Sequence, residues 1–164
     1  MRLRYIAAIV LTLLLAACGS VPRESEPPGD GGTPIARSAT QLVGVPYHFG
    51  GADLQGFDCS GLAVYVYERA GVEIPRTARE QKRAARPVAM DSVSPGDLVF
   101  FRIHSHHVNH VGIYVGGGRF VHAPRSGGTV SYGNISAGYY RKHLVGAGRF
   151  WNGDASPTYV PSTH

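Results

Sequence analysis

The apolar residues of this chain change their spacing once, and that change constrains the fold more than any other feature. In the first half they recur three and four apart. Ile35, Ala39, Leu42 and Val43 make one helical face that Gly44 ends, with Thr33 placed as N-cap and Pro34 at the first helical position. Ala63, Val66, Tyr67 and Ala70 make another, over Leu62 to Ala70, which Gly71 is placed to stop. Thr77 with Glu80 three residues on reads as a capping box opening a short third helix with an Arg/Lys-rich surface. From Asp97 the pattern becomes that of strands: Asp97 to Ile103 after the turn Ser94-Pro95-Gly96, then Val111 to Val115, Arg119 to Ala123, Thr129 to Tyr132 and Leu144 to Phe150. Gly116-Gly117-Gly118 is a hairpin turn between the second and third of these. Helices first and hairpin-linked strands second predict an α+β domain, with the helices packed on an antiparallel sheet of about five or six strands. The domain is expected over 34–151, roughly 118 residues and enough for a real core.

Between the first two helices lies Phe57-Asp58-Cys59-Ser60-Gly61-Leu62. Asp58 is suited to cap the second helix, which puts Cys59 in its first turn. The unpaired N–H groups and positive dipole end there lower a thiol's pKa from about 8.5 into the neutral range or below. The bland use of such a cysteine is as a small buried hydrophobe, yet polar neighbours on both sides argue against packing alone. A nucleophilic cysteine also needs a base within hydrogen-bond reach. His110, at the start of one strand, and His122, on its hairpin partner, are the candidates. Counting outward from Gly117 places 110 opposite 124, so that 110 and 122 stand diagonally on one face, about 7–8 Å apart.

The chain opens with Arg2 and Arg4 and an uncharged apolar run from Ile6 to Leu15. That is a secretory leader over 1–17, too short for a permanent membrane helix. Leu15-Ala16-Ala17-Cys18 resembles the bacterial lipobox, in which cleavage leaves Cys18 as a lipid-bearing N-terminus; multiple acyl chains make a stable membrane anchor. Gly19 follows where bacterial sorting rules often place Asp for inner-membrane retention. Its presence points to the periplasmic face of the outer membrane if the source has two membranes, and otherwise to the outer face of the cell membrane. The chain has two cysteines. If Cys18 carries lipid, Cys59 is left unpaired in an oxidising compartment, which fits a thiol in use; a Cys18–Cys59 disulfide is the competing reading. Residues 18–33 read as the lipidated cysteine with a flexible tether, and 152–164 as a disordered tail. Losing the leader lowers the formal charge from +5 to about +3. Without a dense Lys/Arg stripe or a nucleic-acid motif, no nucleic-acid partner is expected.

Asp58-Cys59-Ser60-Gly61-Leu62 resembles the nucleophile motif of the NlpC-type cell-wall cysteine peptidases. The resemblance runs from Ala36 to Phe150 in the family's motif order. It takes in Val45-Pro46-Tyr47-His48-Phe49-Gly50-Gly51, Ile74-Pro75-Arg76-Thr77 with Gln81, Pro95-Gly96-Asp97-Leu98-Val99-Phe100-Phe101, His110-Val111-Gly112-Ile113-Tyr114 and Val121-His122-Ala123. It implies a papain-like fold with a triad of Cys59, His110 as general base and His122 as the residue orienting its ring. It further implies the Cys59 N–H and the Tyr47 hydroxyl as oxyanion donors, and Asp58, Ser60 and Arg76 as lining of the substrate groove.

The activity implied is a peptidoglycan hydrolase without a cofactor; the sequence leaves the oligomeric state open, with a monomer favoured. The enzyme would cleave D-glutamyl to diaminopimelate within a stem, or D-alanyl to diaminopimelate in a crosslink, through a thioester on Cys59. Two other readings use the same residues: an idle wall-binding lipoprotein, and an acyltransferase on a related fold. The loop 102–109 adds His104, His106 and His107, which with His110 could hold zinc or copper; the expectation is instead a polar loop beside the cleft and no metal.

Overall fold

Within residues 31–152, the part described by the computed structural model, helices precede strands as the change of spacing predicts. In chain order the elements are α1 (Thr33–Gln41), β1 (Ala52–Asp53), β2 (Gly56–Phe57), α2 (Cys59–Arg69), α3 (Ala78–Ala84), β3 (Arg86–Val88), β4 (Leu98–Phe101), β5 (His110–Gly116), β6 (Arg119–His122), β7 (Ser131–Asn134), α4 (Gly138–His143) and β8 (Leu144–Arg149). The leader, Cys18, all of the expected tether before Gly31 and the tail beyond Asn152 lie outside the described residues.

Six strands form one antiparallel sheet in the order β3-β8-β4-β5-β6-β7, and β1 pairs with β2 separately. The last strand, β8, returns to the middle of the sheet between β3 and β4. Alternation along the strands sends side chains to two faces. Leu98, Phe100, Val111, Ile113 and Val121 pack with Ile35, Ala39, Leu62, Val66 and Tyr67 from α1 and α2. Val99, Phe101 and Phe120 form a second cluster on the other side, covered by Tyr140 and Leu144. Every residue of β4 is therefore buried.

Two anchors tie these layers together. The Tyr67 hydroxyl on α2 donates to the Gly96 carbonyl at 2.5 Å. Asp97 is 0% exposed and accepts from Arg149 Nε at 2.6 Å and Nη2 at 2.7 Å, which fixes β8 beside β4.

The structure corrects the sequence at the start of α1. The helix begins at Thr33 itself, and its N-cap is Gly32, with no side-chain capping bond. A side chain at Gly32 would collide with the Pro95 carbonyl and the Trp151 indole, so tertiary packing overrides the capping preference of Thr33. Thr77 does cap α3, accepting from the Glu80 N–H at 3.3 Å while its hydroxyl donates to the Glu80 carboxylate at 2.7 Å. Four elements were not read from the sequence: β1 and β2, which pair as a hairpin, β3 and α4.

The β5–β6 hairpin carries the expected register. Ile113 pairs with Val121 and Tyr114 with Phe120, which extends to 110 opposite 124, whereas Gly116 pairs with Arg119, so a bulge between Tyr114 and Gly116 shifts the register by one residue. Gly117 and Gly118 form the two-residue turn, both at positive φ (60° and 73°) as a type I′ turn requires.

Candidate active site

Asp58 builds the nucleophile's seat. Its backbone is extended, and its carboxylate accepts from the Gly61 N–H at 2.6 Å, so α2 starts with Cys59 in its first turn. The other contacts of that carboxylate are local. The Gly50 N–H donates at 3.1 Å, the Ser60 hydroxyl at 3.2 Å, and Arg76 at 2.6 and 3.0 Å. Arg76 and the Gly61 N–H hold the Asp58 carboxyl below its usual range against the opposing effect of burial. Gly61 is required by space, because a side chain there would strike the Gly51 carbonyl.

Cys59 is half-buried, and its thiol donates to the Asn109 carbonyl at 3.9 Å. The expected lowering of its pKa does not occur in the resting site. Burial pushes the thiol up to about 11, and the Asp58 charge adds to this. The Val111, Ser60 and Cys59 backbone groups act the other way, so the helix terminus does favour the thiolate, but desolvation outweighs it.

His110 opens β5 and His122 closes β6. They are 6% and 2% exposed, and His110 Nε2 lies 2.8 Å from His122 Nδ1, with the rings at 80°. The diagonal relation thus becomes a direct hydrogen bond. Burial pushes His110 down to about 4; burial and the neighbouring His110 push His122 down to about 3. Both imidazoles are neutral at rest.

Three adjoining hollows connect these groups. One of about 170 Å³ is lined by Tyr47, Cys59, Asn109, His110 and Pro124, among others. On one side, through Tyr47, Cys59 and Asn109, it meets a hollow of about 630 Å³ that includes Phe49, Asp58, Ser60, Glu80 and Arg83. On the other, through Ile103, His110 and Pro124, it meets one of about 340 Å³ bounded by His122, Arg125, Tyr139 and Tyr140. Cys59 and His110 therefore stand together at the waist of a trough. Tyr47 is in its wall, its phenol pKa raised by burial and by the Cys59 and Asp58 charges.

Of the three residues expected to line the substrate groove, Asp58 and Ser60 border the large hollow. Arg76 stands behind them, donating to Asp58, to the Ser60 hydroxyl at 3.0 Å and to the Gly51 carbonyl at 3.5 Å. The histidine loop is shaped by Asn109, whose side chain accepts from the Ile103 N–H and donates to the Ile103 carbonyl, both at 2.8 Å. His107 reaches the large hollow, whereas His104 packs near Tyr139 and His143. Among the described residues, no three His, Cys, Asp or Glu side chains are grouped to hold a metal ion.

Sequence reasoning missed Asn109 and Tyr140. Asn109 carried one cue, its place directly before His110. Tyr140 sits on α4, whose six residues include no buried position and so show no helical stripe.

Comparison with known proteins follows the same outline. The chain is 40% identical over 129 residues to the gamma-DL-glutamyl hydrolase of Bacillus subtilis (strain 168), covering 76% of this chain and 31% of that protein. It is 43% identical over 114 residues to the murein DD-endopeptidase MepH of Escherichia coli (strain K12), covering 66% and 42% respectively. It thus spans less than half the length of these two relatives. The crystal structure of an NlpC/P60 family protein from Bacillus cereus superposes with a TM-score of 0.67 at 31% identity, covering 71% of this chain and 39% of that one. The NlpC/P60 family model itself matches residues 44–149, a span that contains Tyr47, Cys59 and both histidines, and the chain belongs to that family.

Proposed function

We propose that this protein is a cysteine peptidase that hydrolyses amide bonds in the peptide stems of peptidoglycan. The observation that carries the reading is the waist of the trough: a thiol at a helix N-terminus shares one hollow with an imidazole whose far nitrogen is held by a second imidazole. The names of the relatives, a glutamyl hydrolase and a murein endopeptidase, supply the substrate class.

In this mechanism His110 Nε2 is engaged by His122, which leaves Nδ1 to take the Cys59 proton. Both groups are neutral at rest. Once the proton moves, thiolate and imidazolium face one another in a weakly solvated hollow, and their attraction offsets the burial that disfavours each alone. The thiolate attacks the scissile carbonyl, and the Cys59 N–H and Tyr47 hydroxyl stabilise the oxyanion. His110 then protonates the leaving amine, forming the thioester. A water molecule deprotonated by His110 hydrolyses the thioester and restores the thiol. Lipid on Cys18 belongs to the same proposal. It would hold the domain at the periplasmic face of the outer membrane in a two-membrane source, or at the outer face of the cell membrane otherwise.

The scissile bond is D-glutamyl–diaminopimelate or D-alanyl–diaminopimelate; one relative is named a gamma-DL-glutamyl hydrolase and the other a murein DD-endopeptidase. Incubation with purified peptidoglycan, followed by mass spectrometry of released fragments, tests the proposal. Fragments sharing one new terminus, absent with Cys59→Ala and unaffected by chelator, are expected, and the terminus names the bond. A folded protein that releases nothing from any peptidoglycan type would leave the idle wall-binding reading in its place.

A further inference from the structure

The histidine pair does not end at His122. Its second ring nitrogen, Nε2, lies 3.3 Å from the Tyr140 hydroxyl, which α4 brings over the sheet. Tyr140 is held there by ring contacts with Phe101 at 5.4 Å, Phe120 at 4.9 Å and His122 at 5.4 Å, all near perpendicular or edge-on. Cys59, His110, His122 and Tyr140 therefore follow one another from helix α2, through strands β5 and β6, to helix α4.

We infer that Tyr140 is a positioning residue of the catalytic chain, accepting a hydrogen bond from His122 Nε2–H and so fixing both imidazoles in the tautomers that make His110 a base. This role of Tyr140 rests on the proposed role of His110 and follows from proton counting. For His110 Nδ1 to accept the thiol proton, that nitrogen must be bare at rest, so the ring proton is on Nε2. His110 Nε2–H then donates to His122 Nδ1, which must also be bare. The remaining proton of His122 is on Nε2, and at 3.3 Å it meets the phenol oxygen.

Run the other way, with the phenol donating, the same hydrogen bonds put a proton on His122 Nδ1 and, by donation to His110 Nε2, another on His110 Nδ1. That arrangement has no base facing Cys59. A phenol can donate or accept, but only as an acceptor does Tyr140 leave His110 with a base facing Cys59. Once His110 becomes an imidazolium, a proton shift to His122 spreads the positive charge, and Tyr140 is still an acceptor. It also stays un-ionised, because burial and the neighbouring Tyr139 raise its pKa. Besides His110 and Tyr140, the titratable groups lining the same hollow as His122 are Arg125 and Tyr139, and no carboxylate lines it.

The full chain labelled with ¹⁵N-histidine, studied by NMR beside Tyr140→Phe, tests this. Tyr140→Phe keeps the ring contacts and removes only the oxygen. The wild type is expected to show His110 and His122 both protonated at Nε2, and the variant to show His122 moving towards Nδ1–H. Iodoacetamide labelling of the Cys59 peptide, read by mass spectrometry near neutral pH, should slow roughly fivefold to tenfold in the variant, the scale of one neutral hydrogen bond. On peptidoglycan the loss should fall on kcat, with KM unchanged. Nδ1–H on His122 in the wild type would overturn the inference, as would a variant with unchanged tautomers and labelling. If peptidoglycan is not cleaved at all while the tautomers and labelling behave as expected, the proposed substrate fails and the inference about Tyr140 stands.

Discussion

Removing the charge of Asp58 while keeping its shape separates two jobs that this carboxylate performs. It caps α2 through the Gly61 N–H and it pairs with Arg76, while its charge also raises the Cys59 thiol. In Asp58→Asn the amide oxygen still accepts from Gly61, since Asn caps helices about as well as Asp. What is lost is the ion pair. The Arg76 side chain is 40% exposed, so water screens that pair, and its loss costs about 1 kcal/mol. Asp58→Ala loses the cap as well, about 1 kcal/mol, and the bond from the Gly50 N–H, about another. The alanine variant should therefore be less stable than wild type by about 3 kcal/mol and the asparagine variant by about 1 kcal/mol, in urea unfolding followed by circular dichroism. The thiol responds oppositely to stability. With the neighbouring charge gone, the pH profile for iodoacetamide labelling of Cys59 should move to lower pH in Asp58→Asn. An unmoved or upward-moved profile in a folded Asp58→Asn protein would refute the electrostatic argument. Equal destabilisation by the two substitutions would refute the capping argument.

The buried histidines give a pH dependence of known sign. His110 and His122 are pushed down to about 4 and about 3, whereas both titrate near pH 6.5 when unfolded. The unfolded chain therefore binds more protons between about pH 3 and 6.5, so stability is full above that window and falls as pH is lowered through it. At pH 5 the loss is up to about 2 kcal/mol per histidine, read as a shift in urea midpoint; a His110→Gln, His122→Gln double variant should lose that part of the slope, and an equal slope in both proteins would count against it. Gly112 and Gly133 leave room on either side of the Phe120 ring, and a methyl at 133 would sit 2.7 Å from two of its carbons. Gly133→Ala should then destabilise by about 1–3 kcal/mol in thermal unfolding, whereas an unchanged Tm would show that the ring gives way freely. Asp97→Ala takes the buried carboxylate from Arg149 and should cost about 3–5 kcal/mol, with retained stability refuting the role of this pair in holding β8.

Much of this was legible because local chemistry and tertiary structure agree. Asp58, Thr77, Gly71 and the Gly117-Gly118 turn each act through their own neighbours in sequence, and each does in the structure what its residue type predicts. The diagonal placement of His110 and His122 was legible by counting outward from Gly117, but the turn alone does not produce it: the 117–118 turn pairs Gly116 with Arg119, and the bulge between Tyr114 and Gly116 puts 110 opposite 124. The misses share the opposite property. Thr33 lost its cap to Gly32 because of Trp151, more than a hundred residues away. β3 is three residues long, has Pro87 at its centre and exists only because β8 pairs with it. α4 has no apolar stripe, yet it delivers Tyr140 to His122.

The thiol shows why residue type alone does not give a pKa. A helix N-terminus and a nearby histidine both favour the thiolate, and the sequence displays both. Burial opposes them and is set by how loop 103–109 folds over Cys59, with the Asn109 side chain clasping Ile103 and the Asn109 carbonyl meeting the thiol. The site therefore holds a neutral thiol beside a neutral imidazole pair, and a neutral thiol resists oxidation better than a standing thiolate would. Reactivity then depends on the direction of the hydrogen bonds running from Cys59 to Tyr140. That direction is carried by a residue with no mark in the sequence and by contacts that only the assembled sheet creates.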